Sequence, residues 1–305
     1  MDFQQTIRTQ VSLEGIGLHS GAAVRMTLSP AAPHTGILFR ACDGTIVPAS
    51  LDHLVDSRSA TTLGAFGVRV RTIEHLMAAV SALGIDNLLV DIDAEEIPAA
   101  DGSARPFVEL LYRAGRVSLP APRQQALLLE PIRVGDEHRW LEISPSDNFR
   151  ISYTLDNRHP AIGLQVASIA ITEQRFVDEV APARTYGFLK DVPMMRQNGL
   201  ARGGSLDNAV VVGKRMVLND SLRFADEFVR HKVLDLVGDL ALLGRSVVGH
   251  VTGYNAGHAL NHELAAAIRA CHTAGRRHVS RVRATSAVRS QSAPQEDYLP
   301  GIAAV

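Results

Sequence analysis

Phe228-Val229-Arg230-His231-Lys232-Val233-Leu234-Asp235-Leu236-Val237-Gly238-Asp239 places a histidine and two aspartates four residues apart in an otherwise apolar, helix-compatible run. At about 3.6 residues per turn, positions 231, 235 and 239 fall on nearly one line along a helix. An imidazole and a carboxylate one turn apart can grip a single metal ion, and a third acidic group one turn further can orient a neighbour. Burying three such groups unpaired would be costly, so the line needs partners. The plain alternative is an exposed i,i+4 pair worth a few tenths of a kcal/mol.

Zinc hydrolases commonly use three protein ligands and keep one position open. His231 and Asp235 supply two. The best source of a third is Thr72-Ile73-Glu74-His75-Leu76, where a histidine follows a glutamate at a helix start. Neighbouring helical residues point about 100° apart. Glu74 would therefore not share the metal of His75 but could reach the attacking water, as a metal-assisted general base must. Taken alone, His75 reads as a hydrogen-bonded or surface histidine, and periodicity gives no means of pairing the two segments in space.

Other stretches are weaker. Asn255-Ala256-Gly257-His258-Ala259-Leu260-Asn261 follows a strand and precedes a helix, a loop position suited to a catalytic histidine or simply to a capping residue. Ala183-Arg184-Thr185-Tyr186-Gly187-Phe188 offers a hydroxyl and rings in a loop. Gly15-Ile16-Gly17-Leu18-His19-Ser20-Gly21 lacks the lysine of a phosphate-binding loop and the helix of a dinucleotide fold, so it reads as a tight turn. Asp93-Ala94-Glu95-Glu96-Ile97-Pro98 and Asp101-Gly102-Ser103 do not fit a calcium loop and read as a solvated acidic segment. Met194-Met195 suits an apolar ligand or core filling.

The 305 residues are 46% hydrophobic with a formal net charge of -1, enough for a substantial core and no electrostatic case for nucleic acid or an anionic membrane. Length suggests about two domains. Two distant cysteines, Cys42 and Cys271, suit a reducing compartment. The first residues show no signal peptide, and no apolar run reaches a membrane span of about 20 residues; the expectation is a cytoplasmic protein, acting as a monomer.

Strand-like alternation marks Ala23 to Leu28, Leu88 to Ile92, Trp140 to Ile143 and Arg150 to Leu155. Helical spacing marks Ile73 to Leu83, Pro106 to Ala114, 173–180, 226–243 and Leu260 to Ala274, with a strand at Val247 to Thr252. Pro120-Ala121-Pro122-Arg123-Gln124 breaks both patterns and reads as a linker. The expected domains are thus 1–120 and 126–275, followed by a flexible tail over 278–305. The halves echo each other weakly: Glu74-His75 through Gly84 to Leu88 corresponds to Arg230-His231 through Gly244 to Val247, each with a histidine in the first turn of a helix. Two similar α+β layers would bring both histidines to one interface.

Taken together, GIGLHSG (15–21), TIEHLMAAVSALGIDNL (72–88), EIPAADGSARPF (96–107), ARTYGF (183–188), FADEFVRHKVLDLVGDLALLG (224–244) and GHALN (257–261) resemble, in order, the UDP-3-O-acyl-N-acetylglucosamine deacetylases. These are zinc-dependent enzymes of lipid A biosynthesis in Gram-negative bacteria. The resemblance covers about residues 1–272 and implies an α+β fold of two similar domains, each a sheet layered on helices, with the active site at their interface. It implies hydrolysis of the N-acetyl group of a UDP-linked 3-O-(3-hydroxyacyl)-N-acetylglucosamine, releasing acetate.

The resemblance also assigns residues. His75, His231 and Asp235 correspond to the zinc ligands, a donor set that also accepts Fe2+, and Glu74 to the general base. Thr185 would hold the oxyanion, His258 would stabilise it or protonate the leaving amine, and Asp239 would hydrogen-bond that imidazole. Lys232 points away from the ligand line by helix geometry, while its family counterpart reaches the substrate. Leu18, His19 and Tyr186 fall at substrate-approaching positions. An insertion near 189–212 would form an apolar passage for the acyl chain, with Met194, Met195 and Leu200 along it. Tyr186 replaces a common phenylalanine, and Asn255 a commonly basic residue, so another group must meet the diphosphate. Other classes are a different zinc amidase, against which the absence of H-E-x-x-H argues for the commonest peptidase type, or a metal-binding homologue without catalysis, which would need neither Glu74 nor His258.

Overall fold

The computed structural model describes residues 2–271. The chain opens with β1 (Phe3–Ile7), β2 (Val11–Ile16), β3 (Ala23–Pro30), β4 (Ile37–Arg40) and β5 (Ile46–Pro48). A small meander, β6 (Leu54–Asp56), β7 (Thr62–Ala65) and β8 (Val68–Val70), leads into helix α1 (Glu74–Ala82). Strand β9 (Leu88–Ile92), helix α2 (Arg105–Ala114) and β10 (Arg116–Pro122) follow. Five of these strands form one sheet in the order β2-β3-β9-β4-β5, antiparallel except where β4 runs parallel to β9.

The later half repeats the scheme. Strands β11 (Gln125–Leu127), β12 (Ile132–Gly135), β13 (Trp140–Ser144), β14 (Phe149–Asn157) and β15 (Gly163–Ala170) precede α3 (Glu173–Arg175), which runs into a wide helical turn at Phe176–Val180. A parallel ribbon of β16 (Tyr186–Phe188) and β17 (Val210–Val212) brackets the short helix α4 (Val192–Gln197). Helix α5 (Glu227–Leu240) leads to β18 (Ser246–Tyr254) and to helix α6, residues 258–271. The second sheet runs β12-β13-β18-β14-β15, with β11 alongside the start of β18.

Period-two alternation determines which sheet faces are buried. In β3 it sends Val24, Met26 and Leu28 inward, and in β14 Ile151, Tyr153 and Leu155. Each such side chain removed from water contributes about 1.5–3 kcal/mol. Helix α2 rests on β2 and α1, while α5 rests on β14, β15 and α1. The two helices that carry the candidate ligands are therefore packed on each other, and Glu74 through Val80 of α1 are all buried. Gly238 lies at the crossing: a Cβ there would stand 2.0 Å from the backbone oxygen of Glu74. The layered α+β class read from the sequence is the one observed.

Details differ. Pro120 and Pro122 are not linker residues but the end of β10, which pairs with β1 in an isolated two-stranded ribbon; an edge position tolerates proline because no ladder donor is needed there. The helix expected over 173–180 is one short helix and a wide turn. Because α5 starts at Glu227, His231 sits in its second turn, not its first. A short 3-10 turn, Ala241–Leu243, extends α5 to Gly244, whose φ of 64° supplies the left-handed stop. Cys42 and Cys271 are both free and exposed. Among the described residues, no helix is long and apolar enough to cross a membrane. The tail expected over 278–305 lies outside the described residues.

Candidate active site

The path into α1 is held by an acidic residue that the sequence suggests is solvated. Glu96 is instead fully buried. Its carboxylate accepts hydrogen bonds from the backbone N–H of His19 (2.9 Å) and Ser20 (2.7 Å) and from Thr72 Oγ1 (2.7 Å). The turn at 15–21, closed by Gly21 N–H donating to Gly17 O at 3.0 Å, thus cradles a protein carboxylate. Thr72 has φ of 59°, rare for a β-branched residue, and the Glu96 bond helps fix it where the chain enters α1.

Burial alone would raise the Glu96 pKa, but the bonds from Ser20, His19 and Thr72 hold it below the usual carboxylate range. A depressed folded pKa stabilises the fold above the unfolded value of about 4.3 and loses that contribution as pH falls through the folded value. Glu96→Gln is therefore expected to cost about 1–3 kcal/mol at pH 7. The gap should close in acid, which melting temperatures at a series of pH values will test; a pH-independent gap contradicts the assignment.

Helix α1 presents Glu74 and His75 in its first turn, and α5 presents His231 and Asp235 one turn apart. One ligand atom from each of His75, His231 and Asp235 lies within 4.8 Å of the other two. Nε2 of His231 stands 3.3 Å, and Nε2 of His75 3.8 Å, from Asp235 Oδ1. That oxygen is buried without a hydrogen-bond partner, an arrangement that is costly unless a cation completes it. His231 Nδ1 donates to the Ala183 carbonyl at 3.1 Å, which leaves the Nε2 lone pair toward the cluster. Burial, then the neighbouring His231, pushes His75 down to about 3, and burial likewise lowers His231, so both imidazoles are neutral. Burial alone would raise Asp235, but the positive charge around it, Lys232 included, outweighs that and holds it well below its usual range. Two neutral imidazoles, an ionised carboxylate and an orphaned oxygen fit a divalent metal.

Glu74 and His258 face one another, with Oε1 and Nε2 4.0 Å apart. Burial, reinforced by Asp239 and Asp235, pushes the Glu74 carboxyl up to about 8. His258 goes the other way: against burial, Asp239 and then Asp235 raise it to about 10. Its Nδ1 donates to Asp239 Oδ2 at 2.8 Å. The Glu74 Oε2 accepts from Thr61 N–H at 3.0 Å, which fixes the carboxylate's orientation. Lys232 does not point away from the ligand line. Its flexible stem reaches three residues forward along the helix, and Nζ donates to Asp235 Oδ2 at 2.7 Å.

These groups line one cavity of about 380 Å³. Thr185, Tyr186 and Lys232 line it on one side, and Leu18, Val192, Met195, Ala201 and Val211 supply an apolar stretch. Thr185 is held by its N–H to Gly102 O (2.8 Å) and by its own carbonyl to Val210 N–H (2.8 Å). The Tyr186 ring packs edge-on against Phe228, with centroids 4.9 Å apart. His19 also lines the cavity, whereas Met194 is 60% exposed and Leu200 lines a neighbouring polar pocket. Asn255 adopts φ of 49°, and its amide bonds both the N–H and the carbonyl of Asp156, so it holds the turn after β18. Arg139 lines a shallow pocket with Asn255 and Lys232.

Several residues escape sequence reading. Thr61 and His262 both contact Asp239, and Gly238 permits the helix crossing. Arg184 and Glu227 form a buried pair at 2.8 Å behind Thr185. The polar pair Asn261-His262 inside an apolar helix is the one signal that could have pointed to this shell.

A family model described as UDP-3-O-acyl N-acetylglycosamine deacetylase matches residues 4–270. A Myxococcus xanthus protein named UDP-3-O-acyl-N-acetylglucosamine deacetylase is 49% identical over 265 residues, covering 86% of this chain and 84% of its own. Proteins of the same name from Syntrophotalea carbinolica (49% over 268 residues, 87% of each chain) and Methylococcus capsulatus (46% over 267 residues, 86% and 88%) are also similar.

Proposed function

The chain belongs to the UDP-3-O-acyl N-acetylglycosamine deacetylase family, and from that premise we propose that it hydrolyses the N-acetyl group of UDP-3-O-(3-hydroxyacyl)-N-acetylglucosamine. Water and the acetamide give acetate and a free amine, the committed step of lipid A biosynthesis. The observation that carries the reading is the unpartnered Asp235 Oδ1 beside two neutral imidazoles, with Glu74 and His258 flanking it in one cavity.

His75, His231 and Asp235 would hold zinc, and the same donors would accept Fe2+. When bound, such an ion supplies Lewis acidity toward the carbonyl and toward water. In its ionised form, which a cation held by the neighbouring trio would favour, Glu74, oriented by Thr61, takes the proton of the attacking water. Thr185 would donate a hydrogen bond from its hydroxyl to the oxyanion as it forms. His258, held by Asp239, lies across from Glu74 and serves the oxyanion or the leaving amine as a donor. Lys232 keeps Asp235 oriented and carries a positive charge to the edge of the cavity.

The apolar side lined by Leu18, Val192, Met195 and Val211 suits the acyl chain, with His19 and Tyr186 beside the sugar and Met194 at the outer rim. Arg139 and Lys232, which line the pocket beside Asn255, are cations that could meet the diphosphate where Asn255 carries no charge. Two units, 1–120 and 126–275, would meet at this cleft. The proposal is of a monomer, working in the cytoplasm.

The test is acetate release by purified protein from the UDP-linked substrate. Release is expected to fall to background with a chelator and to return on adding zinc. No release at any zinc concentration contradicts the proposal.

A further inference from the structure

We propose that His262 is a positioning residue for this reaction: it fixes the Asp239 carboxylate that in turn aims His258. This deepens the reading above and rests on its assignment of His258. Asp239 is fully buried, and both of its oxygens are occupied. Oδ2 accepts from His258 Nδ1 and from Asn261 Nδ2, each at 2.8 Å. Oδ1 accepts from Thr61 Oγ1 at 2.5 Å, and His262 Nε2 stands 3.2 Å from both Oδ1 and Thr61 Oγ1, so it braces the carboxylate directly and through the Thr61 hydroxyl.

Positions 258, 261 and 262 lie on one face of α6, so a single helical turn supplies three of the four partners. The tautomer follows from the contact at the other ring nitrogen. His262 Nδ1 stands 2.9 Å from Ser57 Oγ. If the Ser57 hydroxyl donates to Nδ1, Nε2 carries the hydrogen, as a bond to the carboxylate requires. His262 thus spans from the loop between β6 and β7 to Asp239, and that same loop holds Glu74 through Thr61 N–H.

A carboxylate held through one oxygen can still rotate about its Cβ–Cγ bond. Pinning Oδ1 from Thr61 and His262 leaves Oδ2 one direction, onto His258. His262 is 4% exposed and does not line the cavity, so it acts through Asp239 and not on substrate. Residues that orient a reacting group in this way typically affect rate or affinity about 10–100-fold when lost.

The test compares His262→Leu, which removes both ring nitrogens, with His262→Gln, whose amide can still donate to Asp239. His262→Leu is expected to lower kcat about 10–100-fold, with KM within about twofold and zinc content unchanged; His262→Gln should restore most of the rate. In a His258→Ala background, His262→Leu should have no further effect, because the two act as one unit. Equal loss in the Leu and Gln variants, an unchanged kcat in His262→Leu, or full additivity with His258→Ala overturns the proposal.

A proton NMR reading separates this from the activity itself. The His258 Nδ1–H resonance should be sharp in the unsubstituted protein and in His262→Gln, and broadened or lost in His262→Leu. Its persistence in the Leu variant overturns the proposal whether or not acetate is released, whereas absence of acetate release with the expected NMR pattern contradicts only the proposed reaction.

Discussion

Glu74→Gln is expected to lower kcat about 10²–10⁴-fold while leaving the metal content of the protein unchanged. The glutamate lies outside the trio of candidate ligands, and its Oε2 accepts from Thr61 N–H at 3.0 Å. A glutamine oxygen can keep that bond, so the side chain stays in place and loses only its capacity to accept a proton from water. Steady-state kinetics paired with zinc analysis by atomic absorption measures both quantities. Turnover within about tenfold of the unsubstituted enzyme would remove Glu74 from the role of base, since a positioned base contributes at least about a hundredfold. Loss of the metal together with activity would make it a ligand instead.

Gly238→Ala is expected to impair stability, metal content and turnover together. The new Cβ would meet the Glu74 backbone oxygen at 2.0 Å, and no rotamer change can move a backbone atom aside. Helices α1 and α5 must separate, and overpacking of this kind costs about 1–3 kcal/mol or more. For a domain of about 150–250 residues each kcal/mol lowers the melting temperature by about 2–4 °C. The separation also draws His75 away from His231 and Asp235, so metal content is expected to fall with the melting temperature. That pattern distinguishes it from Glu74→Gln. An alanine variant with unchanged melting temperature and full metal would show that the crossing tolerates a methyl group.

Much of the helical framework is legible in the sequence because α1 and α5 carry helical spacing and clear glycine stops. The strands are legible where one face is buried, as in β3, β9 and β14. What spacing cannot convey is the pairing of Glu74-His75 with His231 and Asp235, because that depends on a helix crossing set by a missing side chain at Gly238. Glu96 is hidden for a related reason. Its partners include two backbone N–H groups, which leave no trace in the pattern of side chains, and an acidic residue between turns resembles a solvated one. Lys232 departs from expectation because helix geometry fixes the direction of Cβ and not the course of a four-carbon stem. The prolines at 120 and 122 signal a break, yet an edge ribbon accommodates them.

The donor set of the candidate metal centre is divided between positions 75 and 235, a separation of 235 − 75 = 160 residues. At a synthesis rate of about 5–20 residues per second, His75 leaves the ribosome's catalytic centre roughly 8–32 s before Asp235. Through that interval a nascent chain owns one imidazole of the trio and no means of retaining an ion there. Metal uptake at this centre would therefore come late in biogenesis, and a chain cut short before α5 would lack two of the three candidate donors.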